Sequence, residues 1–354
     1  KIMEGNVRIV VNDIAASEGG AISILKSLYQ YILEADDINE WFFLLSGMYI
    51  KETKNVHVLL FKKEKKSRIR RLMFDNVYGG KIINDLNPDV VFYLQNTLVK
   101  GVKAKQVMYM DQSIPFQNVY NFSFFDKEQR PYAVYQYLIG KLIKSACRNS
   151  DKIIVQTKWI RDAIAEKCNI KKEKIVIIPP EIIRVPFFSD ENEFDKKCFF
   201  YPASGAYYKN HICISKAMDI LENEGINDIC VGVTIDKNNK LNNKIKFYGK
   251  MDHKDVMRHL KKSTLLFPSY IETYGLPLVE ARMLETIILA ADTSFSHELL
   301  DGYDNAYFFD PFIPESLSRL MKKIRLGEIS KKKITNEIPI HINSWKLVVD
   351  SLEK

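Results

Sequence analysis

The chain has 354 residues, a net charge of +8 and 46% hydrophobic residues. That length suggests two domains of ordinary size, and the apolar content excludes a disordered chain. No apolar run reaches the roughly 18 residues of a membrane-spanning helix, and the opening "KIMEGNVRIVVND" enters a strand pattern at once rather than a signal peptide.

Five cysteines (147, 168, 198, 213 and 230) are scattered without C-x-x-C pairs, and six histidines form no H-E-x-x-H cluster. Reduced thiols, a cytoplasmic setting and no metal site are the expectations that follow.

Strand-like runs alternate with helix-like stretches along the chain. The first half places strands at 7–12, 41–46, 56–61, 89–94, 105–110, 152–157 and 174–179, with helices at 22–33, 130–146 and 159–167. Most of these strands are continuous apolar runs, as in strands covered on both faces of a parallel sheet. Residues 62–71, "KKEKKSRIRR" from Lys62 to Arg71, hold seven basic side chains and one acid, with "LMF" directly behind. They read either as a solvated helix or loop, or as a patch for anionic lipid, where each basic residue contributes about 1 kcal/mol. Nucleic acid is not expected as a partner, because no aromatic-basic interleaving and no nucleic-acid module is present.

Regularity stops at "PPEIIRVPFFSDENEFDKK", which contains three prolines and an acidic cluster. Residues 181–197 therefore read as a linker. A second α/β series has strands at 198–203, 228–233, 244–249, 264–269, 286–291 and 306–310. Its helices fall near 210–224, 253–262, 277–285 and 314–326, and a helical tail, "NSWKLVVDSLEK", ends the chain. The expected organisation is an α/β protein with a Rossmann-like domain at 1–180, a second at 198–340, and residues 341–354 as a terminal helix. Ligands belong at the carboxyl ends of the strands, in the cleft between the domains.

One stretch concentrates chemistry. In "FPSYIETYGLPLVEARMLE" a buried strand ends at a Gly-x-Pro turn and a helix begins near Pro277. Such a turn leaves the amides of Tyr274, Gly275 and Leu276 without intrahelical partners, and free amides at a positive helix end suit a phosphate. Glu272 precedes the turn and Glu280 sits one turn inside the helix, where each could accept hydrogen bonds from sugar hydroxyls. An ordinary βα turn, with Glu280 facing the helix dipole, is the alternative.

The string "PSYIETYGLPLVEA" resembles the signature of retaining GT-B glycosyltransferases close to glycosyltransferase family 4, P-S-x-x-E-x-F/Y-G-L-P-x-x-E-A. Pro268, Ser269, Glu272, Tyr274, Gly275, Leu276, Pro277, Glu280 and Ala281 all match. The resemblance implies two Rossmann-like domains across a cleft, with the final helix crossing back to the first domain. It implies that Glu280 binds the nucleotide ribose, that Glu272 contacts the donor sugar, and that the amides around Gly275, Leu276, Pro277 and Leu278 hold the diphosphate or the sugar. By the same resemblance the backbone around Tyr248 and Gly249 meets the base. In "YPASGAYYKNH" Lys209 matches the family's diphosphate-gripping lysine, while small residues stand where the family has an arginine.

In the first domain, Gly19 and Gly20 resemble the family's Gly-Gly loop, which approaches the donor phosphates; as glycines they allow positive φ and close backbone approach. No G-x-G-x-x-G is present. In "VMYMDQSIPF", Asp111 falls where related enzymes carry a histidine. It reads as a group that orients a donor hydroxyl or accepts the acceptor's proton, or as a loop-capping residue. The implied catalytic set is Glu272, Asp111 and Lys209.

The expected function is retaining transfer of a sugar from a nucleotide diphosphate to a glycan or lipid-linked acceptor, as in bacterial surface polysaccharide synthesis. No metal or other cofactor is expected, and the protein is placed in the cytoplasm, on the inner face of the plasma membrane where residues 62–71 engage lipid. Rival readings are another retaining GT-B enzyme, or a catalytically lapsed GT-B-shaped protein that binds nucleotide sugars or glycans. Two carboxylates around a sugar also suit a glycosidase, but both glutamates here flank one phosphate-type turn.

Overall fold

The computed structural model describes residues 6–17, 19–35, 37–182, 194–334 and 343–353. Seven strands, β1 (Arg8–Asp13), β2 (Glu40–Leu45), β3 (Val56–Leu60), β4 (Val90–Tyr93), β5 (Lys105–Tyr109), β6 (Lys152–Val155) and β7 (Ile175–Ile177), form a sheet in the order β3-β2-β1-β4-β5-β6-β7. Six more, β8 (Cys198–Tyr201), β9 (Cys230–Val233), β10 (Lys246–Phe247), β11 (Thr264–Phe267), β12 (Ile288–Ala291) and β13 (Ala306–Phe309), form a second in the order β10-β9-β8-β11-β12-β13. Every pairing is parallel, for example Asn12↔Leu44 and Asn12↔Tyr93, and Phe267↔Ala290.

Parallel strands need crossovers, and helices supply them. In the first domain these are α1 (Gly19–Glu34), α2 (Lys62–Lys66), α3 (Arg68–Met73), α4 (Gly79–Asp85), α5 (Arg130–Ala133), α6 (Gly140–Asn149) and α7 (Lys158–Cys168). π-helical turns, Phe74–Tyr78 and Val134–Ile139, join α3 to α4 and α5 to α6. The second domain has α8 (His211–Asn223), α9 (His253–Lys262), α10 (Leu276–Met283), α11 (Ser294–Leu300) and α12 (Pro314–Leu326), and α13 (Ser344–Glu353) closes the chain. Continuous burial along β4, β11 and β12 explains their unbroken apolar sequences, since helices cover both faces.

Several details differ from the sequence reading. Strand β10 is two residues rather than six, and α10 stops at Met283 because Glu285 turns left-handed at φ 54°. The short helix α11 has no apolar period to announce it; Thr293 caps it by accepting from the Ser296 amide at 3.4 Å. Residues 183–193 of the expected linker lie outside the described residues. Both flanks of that span already dock on the second domain. Ile182 packs with Tyr274 and Val279, Phe194 packs on the second core, and the Asp195 amide donates to the Lys262 carbonyl at 2.8 Å.

Helix α13 returns to the first domain. Trp345 stacks on Tyr109 with ring centroids 5.9 Å apart and donates to Ser27 Oγ at 2.7 Å. Lys152 donates to the Ser351 carbonyl at 2.7 Å, and Asn39 to Glu353 at 2.9 Å. Trp345→Ala should cost about 3–5 kcal/mol, measured as an earlier urea midpoint; an unchanged midpoint would contradict the docking.

Candidate functional site

Among the described residues all thirteen strands run parallel to their neighbours, so each sheet collects its loops at one carboxyl edge. The second domain's edge carries the main constellation. Strand β11 ends at Phe267, and Gly275 turns left-handed (φ 96°, ψ 58°) to start α10. A side chain there would be strained by conformation and would press on Leu278 Cδ1 at 3.3 Å. Among the described residues the amides of Tyr274, Gly275 and Leu276 meet no acceptor, as the turn requires. The Leu278 amide is different. It donates to the Gly275 carbonyl at 2.9 Å, and its side chain is fully buried in the core. Leu278 thus holds the turn and offers no free donor, against the sequence reading.

A cavity of 510 Å³ opens in front of this helix end. Leu276, Pro277 and Glu280 form one wall, and Ser204, Thr234, Lys250 and His253 stand among the residues opposite. It shares Ser204, Thr234 and Lys250 with a neighbouring cleft of 550 Å³, so the two are continuous. Glu280 points to His253 Nε2, 2.7 Å from its Oε1. Sequence reasoning missed His253; the histidine lies 27 positions away and only the packing of α9 beside α10 brings it near. The amides of Tyr248 and Gly249 are bonded to the Val233 and Ile235 carbonyls at 2.9 and 3.2 Å. The Tyr248 ring lies against Phe200 and His259. Lys250 and Met251, next along, are the residues of that segment that face the cavity.

Glu272 forms an ion pair with Lys209, both side chains mostly buried. Two short segments make this meeting. The 3₁₀ turn Tyr207–Lys209 presents the lysine, and the Tyr270 amide donates to the Tyr208 carbonyl at 3.2 Å, tying the loop of Glu272 to that turn. The Lys209 ammonium also lies 5.7 Å from the centre of the Tyr208 ring. The Tyr274 side chain turns elsewhere, packing with Ile182 and Val279 and lining a 390 Å³ cavity at the domain junction with Thr157 and Glu298.

The first domain's edge is polar. Gly19 and Gly20 open α1, and Gly20 needs no left-handed backbone; a Cβ there would meet no atom within 4 Å. Asp111 follows β5 and is held by Asn96, whose Nδ2 donates to its Oδ1 at 2.8 Å. Burial pushes the Asp111 carboxyl up, and the Asn96 hydrogen bond opposes this. Asp13, at the end of β1, was not singled out from the sequence, yet its environment is the more perturbed. It is 1% exposed with an unpartnered Oδ2. Burial first, then the Asp111 charge, raises it to about 8, while Arg71 and Lys65 pull the other way. Lys65 donates to the Ala15 carbonyl and Arg71 to Asp75, so two of the seven basic residues of 62–71 turn toward this edge.

The domains touch across the cleft. Thr157 Oγ1 donates to the Thr273 carbonyl at 2.9 Å, and Glu298 accepts from the Lys158 and Trp159 amides at 2.6 and 2.9 Å, capping α7 from the other domain. Among the described residues no group of three or more His, Cys, Asp or Glu side chains is placed to hold a metal ion, and no helix is long and apolar enough to cross a membrane.

Comparisons with known proteins fit this geometry. Residues 186–339 match the model of the family described as "Glycosyl transferases group 1". No curated relative matches the chain by sequence. Among solved structures, the chain is similar to Anabaena Alr3699/HepE, described in complex with UDP and glucose, at 14% identity and a TM-score of 0.61, over 98% of this chain and 96% of that one. It is similar to WaaG, a glycosyltransferase involved in lipopolysaccharide biosynthesis, at 12% identity and a TM-score of 0.65, over 97% and 99%. A third is sucrose-phosphate synthase of Thermosynechococcus elongatus, at 11% identity and a TM-score of 0.64, over 99% and 95%. At such identities the likeness defines the fold: two Rossmann-like domains in the GT-B arrangement. With the family match, it supports a glycosyltransferase.

Asp13 gives a pH test. Unfolded, it titrates near about 3.9; folded, at about 8. Between those values the folded chain holds a proton that the unfolded chain has released. The stability from this group is therefore complete below about pH 4 and is lost as pH rises to about 8. Relative to Asp13→Asn, the wild type should lose roughly 2–5 kcal/mol between pH 5 and 9. Parallel stability curves in urea unfolding would refute the assignment.

Proposed function

We propose that the protein transfers a sugar from a nucleotide diphosphate to a hydroxyl of a glycan or lipid-linked acceptor, with retention at the anomeric carbon and without a metal. The observation that carries this reading is the 510 Å³ cavity at the start of α10, with partnerless amides at its turn and Glu280 on its wall. HepE, of the same fold, is described with UDP-glucose, which supports a nucleotide sugar as donor here.

The chemistry assigns work to each group. As the bond from the anomeric carbon to the phosphate oxygen breaks, its electron pair leaves with the diphosphate and charge builds there. The positive end of α10 and Lys209 oppose that charge in a fixed geometry. Glu280 accepts the ribose hydroxyls, with His253 holding it in place, and Glu272 meets the sugar. The acceptor oxygen bonds to the anomeric carbon on the face the diphosphate leaves. Its proton passes to the departing phosphate oxygen or to Asp111, whose burial makes it the better base. Gly20, open near the start of α1, leaves room beside Gly19 for the phosphates from the first domain.

The pathway proposed is surface polysaccharide synthesis at the inner face of a bacterial membrane. Ile69, Leu72, Met73 and Val77 are 72%, 52%, 47% and 73% exposed, and their spacing puts them on one side of the helical segment. Lys62, Lys63, Lys66 and Arg70 are exposed nearby. An apolar stripe with basic neighbours suits an anionic lipid surface.

Two measurements test these readings. In a thermal-shift screen of UDP-, GDP-, ADP- and dTDP-sugars, at least one should stabilise the wild type. Glu280→Ala and Lys209→Ala should each weaken that binding about 10–100-fold, the worth of a charge-assisted hydrogen bond; if no nucleotide stabilises the wild type, the donor site is wrong. Vesicles of phosphatidylcholine with phosphatidylglycerol should co-sediment the protein, and Ile69→Asp with Leu72→Asp should release it. Equal binding by that variant would remove the stripe from the reading.

A further inference from the structure

A further cavity of 340 Å³ lies on the other side of the Lys209 turn and meets the 550 Å³ cleft at Gly205, Ile235 and Asn238. Tyr207 and Asn210 line it, while Lys209 between them pairs with Glu272. Its walls are aromatic and come from both domains. Tyr120 of the first domain stacks on Phe312 of the second, centroids 6.0 Å apart and planes 20° from parallel. Tyr270 completes the group at 5.4 Å from Tyr120 and 5.1 Å from Phe312.

Two buried polar atoms of this lining have no partner, the Tyr270 hydroxyl and His211 Nδ1. Their residues are 3% and 8% exposed. A buried polar atom left unpaired costs about 1–3 kcal/mol, so two in one cavity call for an explanation. Burial pushes the Tyr270 hydroxyl well up, keeping it a donor, and pushes His211 down, keeping it neutral. His211 Nε2 is 3.0 Å from the Ser204 carbonyl, so the proton sits on Nε2 and Nδ1 presents a lone pair. Behind the aromatic faces, the lining residues therefore hold one unused donor and one unused acceptor. The cavity offers little for a phosphate, because Lys240 is paired with Glu128 and Lys216 is left as the rim's exposed cation.

We propose that this cavity is a carbohydrate subsite beside the donor cleft, in which a sugar ring stacks on Phe312 and Tyr120 and its hydroxyls pair with Tyr270 and His211. A sugar is the chemistry that matches, because its hydroxyls both donate and accept while its C–H faces are apolar. Only the naming of this sugar as part of the acceptor glycan rests on the transferase reading. The subsite draws on both domains, so its occupant holds them together next to the turn that carries Lys209.

The test is saturation-transfer NMR on the full chain with methyl glycosides of glucose, galactose and mannose, and with N-acetylglucosamine. At least one should receive saturation from the wild type. Phe312→Ala and Tyr270→Phe, one at an exposed ring and one removing a single oxygen, should each weaken that binding about tenfold. Stabilisation by the nucleotide sugar should be unchanged in both. Transfer to none of the sugars, or equal transfer in both variants, would overturn the subsite and leave the aromatic group as a contact between domains. Sugar binding that depends on Phe312 and Tyr270, in a protein that no nucleotide stabilises, would keep the subsite and discard the transferase reading.

Discussion

The cleft depends on a single backbone constraint, the left-handed turn at Gly275 between β11 and α10. Without a Cβ the chain can reverse there and still pack Leu278 and Phe267 beneath it. That reversal aims the α10 N-terminus at the gap and places Glu280 on the cavity wall. It also frees three consecutive amides where an anion would lie. Leu278 contributes from the core side, its amide closing the turn and its side chain anchoring it.

Charge is arranged in pairs around this turn. Lys209 is matched by Glu272 in an ion pair, and Glu280 meets His253 Nε2 at 2.7 Å. A mostly buried lysine and glutamate would each be costly alone, so the pair keeps both at the cleft while no ligand neutralises them. Loss of either partner leaves an uncompensated charge, so the stability of the loop depends on both. Across the gap the logic reverses. Asp13 has no cation in contact, and the protein accommodates it by raising its affinity for a proton.

Much of the fold was legible because parallel strands covered on both faces carry long apolar runs that resist other readings. Each of the thirteen described strands overlaps its expected position, as do helices α1, α7, α8, α9 and α12, whereas α4 was not expected. What escaped was short or non-local. Helix α11 is seven residues with two serines and a histidine, and its stability comes from a Thr293 cap and from packing with α10 and α7. The Gly275 turn was legible because a Gly-Leu-Pro string has a conformational meaning by itself. The Glu280–His253 pair, the burial of Asp13 and the aromatic junction were not, since each joins residues far apart in sequence. Gly20 shows the opposite error: the residue type suggested a left-handed turn, and the chain used it to start a helix.

The aromatic junction bears on how the two domains act as one. Polar contacts between them are precise in direction, as where Glu298 caps α7 and Thr157 meets the Thr273 carbonyl. The larger contact is the ring cluster of Tyr120, Phe122, Tyr132, Tyr207, Tyr208 and Tyr270. Rings can slide against one another at modest cost, whereas a directed hydrogen bond breaks when its geometry is lost. Directed bonds run through the ring side too: Gln129 Nε2 donates to the Tyr207 hydroxyl at 3.2 Å, and the Tyr120 and Tyr207 hydroxyls lie 3.3 Å apart. The Lys209 turn stands among these rings, hydrogen-bonded to Tyr132 through the Tyr207 amide at 3.2 Å. The turn that carries Lys209 is thus tied to the first domain by a directed bond as well as by ring contacts.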